Sequence, residues 1–152
     1  MASNDTQQQT ASTALAVSVA EAIQAMVAAI EGASCAVVDL VPDFTLDQVT
    51  QELKILVTPQ SEVDTNKNTA TRGDTDTEIQ TNIAVMQKLS SKNDIPNMIA
   101  FCEKIKKALQ RKPLSGLGVN TLASIAPLYD VNVFKRLKVF ISVIVISTKV
   151  QG

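Results

Sequence analysis

The sequence predicts an α+β domain in which two helices pack on a mainly antiparallel β-sheet with a long β-hairpin loop. Two segments repeat large apolar residues at intervals of three and four, as one face of an α-helix does. Shorter segments alternate apolar and polar residues or are rich in β-branched residues, as strands are. Between two of these strand-like segments lies a polar stretch, residues 60–77.

The first helix is predicted over residues 14–31. Ser12 or Thr13 can cap its start, and Gly32 stands where a helix ends. Residues 1–13 are rich in Ser, Thr, Gln and Asn and lack apolar anchors. We expect them to form a flexible N-terminal arm ahead of a single domain of residues 14–152. The stripe of the helix consists of Leu15, Val19, Ile23, Met26 and Ile30.

Two strands joined by a long loop follow the first helix. Residues 36–38 are a short apolar run that forms either a strand or an extended lead-in. Strands are predicted at residues 49–59 and 78–89. Residues 60–77 between them are almost free of apolar side chains. We expect an extended polar hairpin loop that either contacts a partner or is disordered on its own.

A second helix and two further strands complete the predicted domain. The helix is predicted over residues 91–112, with Asn93 or Asp94 as its cap and Pro96 in its first turn. Strands are predicted at residues 119–125 and 134–150. The last strand is apolar on both faces, which is typical of a central strand or of one covered by a second layer.

The composition excludes several classes of enzyme. The 152 residues include no histidine, so neither a Ser–His–Asp nor a Cys–His mechanism has its general base. Two cysteines cannot complete a four-cysteine zinc site. The charge is balanced, with 14 Lys and Arg against 15 Asp and Glu, so no basic field points to nucleic acid. We expect no enzymatic activity, no cofactor, no small-molecule substrate and no specific nucleic acid.

The cysteines and the apolar runs indicate the compartment. Cys35 and Cys102 are far apart in the sequence, and we expect both to be buried, reduced thiols. No cationic segment precedes the first apolar stretch, as a secretory signal requires. The apolar runs are too short to span a bilayer. We therefore expect a soluble chain that is made in a reducing cytoplasm and does not contact a membrane.

Two charged regions are candidate protein interfaces. The cations at the end of the second helix either complement the helix dipole on a solvated face or bind an acidic partner. The polar loop supplies the other charges. At the end of this loop Asp74, Asp76 and Glu78 alternate with threonines. We expect these carboxylates to be solvated; the alternatives are that they bind a hard cation or act as the catalytic carboxylates of an enzyme. The interface candidates are Lys67, Arg72, Asp74, Asp76, Lys104, Lys106, Lys107 and Arg111.

An ordered set of segments resembles a family. The segment TRGDTDTEIQTNIAVMQKL (residues 71–89) is followed by EKIKKAL (103–109) and by PLSG (113–116). PLYD (127–130) and FKRLKVFISVIVISTKV (134–150) complete the set. Over residues 49–150 the chain is similar to the small neck proteins of tailed bacteriophages, the tail terminator or tail completion group.

The resemblance implies a structural virion protein of the phage neck, made in the cytoplasm of the host bacterium. Such proteins assemble with copies of themselves as a ring, typically a hexamer. The ring caps the tail tube, with a sheath as a further neighbour, and joins it to the connector or stopper proteins of the head. Ser147 and Thr148 stand where the family often has a tyrosine. A head-closure or connector protein of the neck, and a non-viral cytoplasmic adaptor that binds an acidic protein, are the alternatives.

Overall fold

The structure, a computed structural model, describes residues 14–66 and 75–151. Within these residues no helix has the length and apolar character needed to cross a membrane. Two short 3-10 turns, Leu46–Gln48 and Lys92–Asp94, precede β2 and α2. The helices and strands in chain order are α1 (Leu15–Ala28), β1 (Val37–Val38), β2 (Lys54–Asn66), β3 (Thr75–Lys88), α2 (Ile95–Leu109), β4 (Pro113–Leu114), β5 (Gly118–Ile125), α3 (Val131–Leu137) and β6 (Val139–Gln151).

The strands form one six-stranded sheet in the order β1-β2-β3-β6-β5-β4. β1 runs parallel to β2, and the other neighbours are antiparallel. The predicted α+β class with a mainly antiparallel sheet is confirmed. β6 lies between β3 and β5, so the prediction of a central strand for the apolar C-terminal segment is also confirmed.

The main core lies between one face of this sheet and the two long helices. α1 packs over β2 and β3, and α2 packs over β5 and β6. Alternate residues of the strands point into this layer, because successive side chains of a strand lie on opposite faces. The largest fully buried side chains of this core are Phe140, Ile23, Ile55, Ile79, Ile83, Ile105, Leu109, Ile144 and Ile146.

The opposite face of the sheet is covered over only part of its length. A smaller cluster forms there from Val49, Leu56, Met86, Val133 and Val139. This cluster joins α3 and the segment before β2 to the sheet. Further along the strands, no helix lies on this face among the described residues, and Leu122 on β5 is exposed.

The hairpin strands are longer than predicted. β2 continues to Asn66 and β3 begins at Thr75, so residues 60–66 and 75–77, expected in the loop, belong to strands. The backbone pairing continues across them, from Asp64 opposite Thr77 to Thr77 opposite Val150 on β6. This part of the hairpin is polar because it extends beyond the two helices, which leaves its outward side chains in solvent. Polarity therefore concealed the strands in the sequence.

A short third helix, α3, replaces the predicted start of the last strand. The Asp130 carboxylate accepts a hydrogen bond from the backbone N–H of Val133 at 3.1 Å and caps the helix. Lys138 adopts a left-handed conformation that ends it. Its buried residues Val133 and Phe134 pack inward, so residues 134–137, predicted as the start of the last strand, belong to a helix, and the β-branched run from Val139 onward forms the strand.

The ends of the two long helices also differ from the prediction. α1 begins at Leu15 after Ala14, which has no capping side chain, and Ser12 and Thr13 lie outside the described residues. α2 spans only Ile95–Leu109, with Pro96 in its first turn as predicted. Neither Asn93 nor Asp94 caps it through a side chain; the hydroxyl of Ser91 accepts from the backbone N–H of Asn93 and caps the preceding 3-10 turn.

Two β-bulges bend the sheet at one level. One lies in β2 between Pro59 and Ser61, and the other lies in β5 between Asn120 and Leu122. The central strands pair without interruption between them, with Gln80 opposite Ser147. A bulge bends its strand and increases the local twist, so we expect β2 and β5 to turn at this level of the sheet.

Candidate interaction surfaces

The lysine-rich end of α2 lies at the β4 side of the molecule. The helix stops at Leu109, whose carbonyl oxygen accepts a hydrogen bond of 3.1 Å from Nδ2 of the buried Asn120. The backbone N–H of Asn120 donates to the carbonyl of Lys112 at 2.8 Å. These two bonds fix the end of α2 and the start of β4 onto β5. The cations around them suit the negative end of the helix dipole.

The predicted cations of this region are mostly exposed. Lys104, Lys107 and Arg111 are exposed, and Lys106 is half-buried. None of the four forms an ion pair with another described residue. The structure therefore gathers half of the candidate residues on one solvent-facing surface.

The remaining candidates are in the hairpin. Lys67, Arg72 and Asp74 lie outside the described residues. Asp76 on β3 is buried, with its carboxylate 3.4 Å from Nζ of Lys149 on β6. Its neighbour Glu78 accepts a hydrogen bond from the Ser147 hydroxyl at 2.5 Å. Both carboxylates of β3 therefore contact side chains of the neighbouring strand β6.

The carboxylates of the hairpin do not form a metal site within the described residues. No group of three or more His, Cys, Asp or Glu side chains is close enough there to hold a metal ion. Asp74, one of the three acids in the alternating sequence, lies outside the described residues.

The two cysteines differ in environment. Cys102 is buried in the core, and burial raises the pKa of its thiol to about 11; the neighbouring Ser142 hydroxyl lowers this pKa slightly, and the Glu103 carboxylate raises it. Cys35 is exposed, so the prediction that both thiols are buried is wrong for Cys35. It lies in the irregular segment between α1 and β1, where Ala33 and Ala36 point inward instead.

The sequence reasoning missed an acidic surface at the opposite side of the sheet. Residues 31–53, which include β1, contain five carboxylates and no Lys or Arg. Three large apolar side chains of this segment are also exposed: Val37, Leu40 and Val41. A count of charge by segment would have found this surface, because the balanced total conceals it.

Each side of the sheet also carries an open groove. A groove of about 460 Å³ lies where the β4–β5 turn meets the end of β6, and its lining includes Leu117, Val119 and Lys149. On the β1 side a groove of about 550 Å³ is lined in part by Val37 and Glu52. Their linings mix apolar and charged groups, as protein-binding surfaces do.

No family model and no curated protein matches the sequence. The fold is similar to that of one chain in a solved structure described as "Virion of native gene transfer agent (GTA) particle". The similarity has a TM-score of 0.55 at 14% sequence identity and covers 93% of this chain and 100% of that chain. This chain therefore has the same fold as that virion chain over nearly its whole length.

Proposed function

We propose that the protein is a structural protein of a phage-like virion. In this proposal it is the tail terminator of the neck, a ring that caps the tail tube and joins it to the connector of the head. The observation that carries the proposal is the similarity of fold, which spans the whole of a chain from a gene transfer agent virion. The resemblance of residues 49–150 to phage neck proteins supports it from an independent direction.

The surface of the chain supports a role in assembly. Large apolar side chains are exposed at both sides of the sheet, for example Leu40 at 56% and Leu122 at 57% of their surface. Exposed apolar residues that cluster on a surface mark sites of protein contact. The paired hairpin strands, which extend past the helices, give the subunit a further element with which to reach a neighbour.

The proposed partners follow from this role. Copies of the chain form the ring, a hexamer as in the resembling proteins, and the tail tube, the sheath where one exists, and the head-side connector contact it. The protein has no catalytic activity and no cofactor in this account. A head-closure or connector protein would share the virion location but occupy a different level of the neck.

Locating the protein in particles tests the proposal. Gold-labelled antibody against an epitope tag at the C-terminus is expected to mark the junction of head and tail in electron micrographs. Label on the capsid or the tail tip, or no label on purified particles, would contradict a neck role.

Deletion of the gene separates the roles within the neck. Without a terminator, nothing stops growth of the tube, so we expect unattached tails of uncontrolled length beside filled heads. Tails of normal length that fail to join heads would favour the head-closure or connector alternative. Normal joined particles would contradict both roles and favour the adaptor.

A further inference from the structure

We infer that the two lateral edges of the sheet are complementary and that the β1 edge of one copy binds the β4 edge of the next. This inference rests on the proposed ring and names the surfaces that build it. The acidic edge is defined as residues 31–53, and the basic edge as residues 104–129. β1 and β4, which these two segments contain, are the outermost strands on opposite sides of the sheet.

Charge is the first observation. The basic edge contains five cations and no Asp or Glu, and the acidic edge contains five carboxylates and no Lys or Arg. The whole chain has a formal charge of only −1, so the segregation is concealed in the total. The charged residues of the two edges are Glu31, Asp39, Asp43, Asp47 and Glu52, and Lys104, Lys106, Lys107, Arg111 and Lys112.

These charges are not neutralised within the described part of the chain. None of the ten forms an ion pair with another described residue. Glu31, Asp43 and Glu52 are exposed at one edge, as are Lys107 and Lys112 at the other. Lys54, Lys88 and Arg136 line grooves together with Asp47 or Glu52, so the acidic edge has an excess of negative charge and not a single sign. An acidic and a basic surface that face each other select and orient partners.

Exposed apolar side chains are the second observation. Among the described residues, eight large apolar side chains are exposed, and six of these lie in the two edges. Val37, Leu40 and Val41 are in the acidic edge, and Val119, Leu122 and Leu128 are in the basic edge. Exposed apolar side chains and charged side chains therefore occur in the same two segments, and a protein interface combines an apolar centre with a polar rim.

The position of the edges determines the kind of assembly. A contact between two different surfaces on opposite sides of one subunit is heterologous, so it repeats from copy to copy. Such a contact gives a closed ring when the rotation per subunit closes, and an open fibre when it does not.

Three full-length variants test the inference. The basic-edge variant carries K104E, K107E and K112E, and the acidic-edge variant carries E31K, D43K and E52K; all six residues are exposed. The control variant carries K92E, K135E and K138E, which are exposed cations outside both edges. It changes the net charge by the same amount as the basic-edge variant, and circular dichroism checks that all three fold.

Sedimentation velocity over a range of concentrations measures the assembly at about 50 mM salt. Each edge variant alone places like charges in contact, so we expect self-association at least roughly tenfold weaker than that of wild type. The control variant is expected to associate like wild type. Salt near 500 mM should weaken wild-type assembly, since it screens exposed charges.

Mixing the variants gives the sharpest outcome. In a mixture of the two edge variants, every alternating contact is complementary again, so assembly should return with the two chains in equal amounts. A mixture of the control and acidic-edge variants has similar net charges, but the control should assemble with itself as it does alone. The acidic-edge variant can bind only through its unchanged basic edge, so it should end growing assemblies and should not enter them in equal amounts. Assembly of the basic-edge variant alone at wild-type strength would overturn the inference and leave the ring itself standing.

A different result bears on the proposed function. If wild type, the control variant and the mixed edge variants all remain monomers at every concentration, both the interface and the self-assembling ring are contradicted. If wild type assembles and the mixture of edge variants does not, only the pairing of these edges is wrong.

Discussion

The core face of the sheet and its two lateral edges differ in how far their apolar side chains are buried. On the core face, Phe140, Ile144 and Ile146 of β6 are fully buried beneath helices. At the edges, large apolar side chains such as Leu40 and Leu122 are exposed. The core therefore determines whether the chain folds, and the edges are free to determine what the folded chain binds. Substitutions in the two regions should accordingly separate stability from assembly.

The largest effect is expected for F140A in the core. Phe140 is fully buried and stacks on Tyr129 with ring centroids 5.7 Å apart. Its truncation leaves a cavity and should lower the free energy of unfolding by about 3–5 kcal/mol. Urea unfolding followed by circular dichroism measures this change. L128A, at an exposed residue, serves as the control and should stay within about 0.5 kcal/mol of wild type. A loss below that of the control would show that the β6 core is not as tightly packed as described.

Two glycines of the basic edge, Gly116 and Gly118, form a matched pair for substitution. A Cβ at Gly118 would overlap the carbonyl oxygen of Lys149, whereas a Cβ at Gly116 meets no atom within 4 Å. Both residues have positive φ, at +148° and +71°. G116A should cost about 1–2 kcal/mol for its backbone conformation alone. G118A should cost about 2–4 kcal/mol, because the overlap adds to the backbone cost. Thermal unfolding of the two variants checks the order, and equal losses would contradict the close approach of β5 and β6.

The buried thiol predicts how stability depends on pH. Since burial raises the pKa of Cys102 to about 11, the folded state favours the protonated thiol. The resulting stability is present below the pKa of an unfolded cysteine, near 8.5, and is lost as the pH rises through 11. Wild type should lose about 2–3 kcal/mol more than C102A between pH 8 and pH 11. Urea unfolding at several pH values measures the difference, and parallel profiles for the two proteins would mean that Cys102 is not shielded from water.

The smallest effect on stability is expected at the edges. L40S and L122S change side chains that are more than half exposed, so each should alter the free energy of unfolding by less than about 0.5 kcal/mol. Both should nevertheless weaken self-association, since they remove apolar area from the proposed interface. V131S, at an exposed valine of α3 outside both edges, is the control for sedimentation and should leave association unchanged. Equal effects of all three on association would erase the distinction between the edges and the rest of the surface.

Apolar periodicity predicted the elements that build the core. The apolar stripes of α1 and α2 predicted one buried face for each helix, and the structure buries those faces. The apolar residues on both faces of β6 predicted a central strand, which is its place in the sheet. The distal halves of β2 and β3 could not be predicted this way, because Val63 is the only large apolar residue between Gln60 and Asn66 and no apolar alternation results. α3 was missed because residues 134–137 directly precede the β-branched run of β6 and were predicted as its start, whereas the helix begins further back, at the cap formed by Asp130.

The candidate surfaces were predictable in part. The basic end of α2 was visible because its cations are adjacent in sequence. The acidic edge was not, since its carboxylates are spread over a segment of 23 residues of mostly irregular backbone. The two edges lie on opposite sides of the molecule because of the order of the strands in the sheet, and a local sequence pattern does not predict that order.

The mass of the assembled protein tests the central claim most directly. Native mass spectrometry of the full chain at low ionic strength and rising concentration should show a closed species whose mass is a fixed multiple of 16.3 kDa. A hexamer is the expected multiple. A mass of 16.3 kDa at every concentration would contradict the account of the chain as the subunit of a ring.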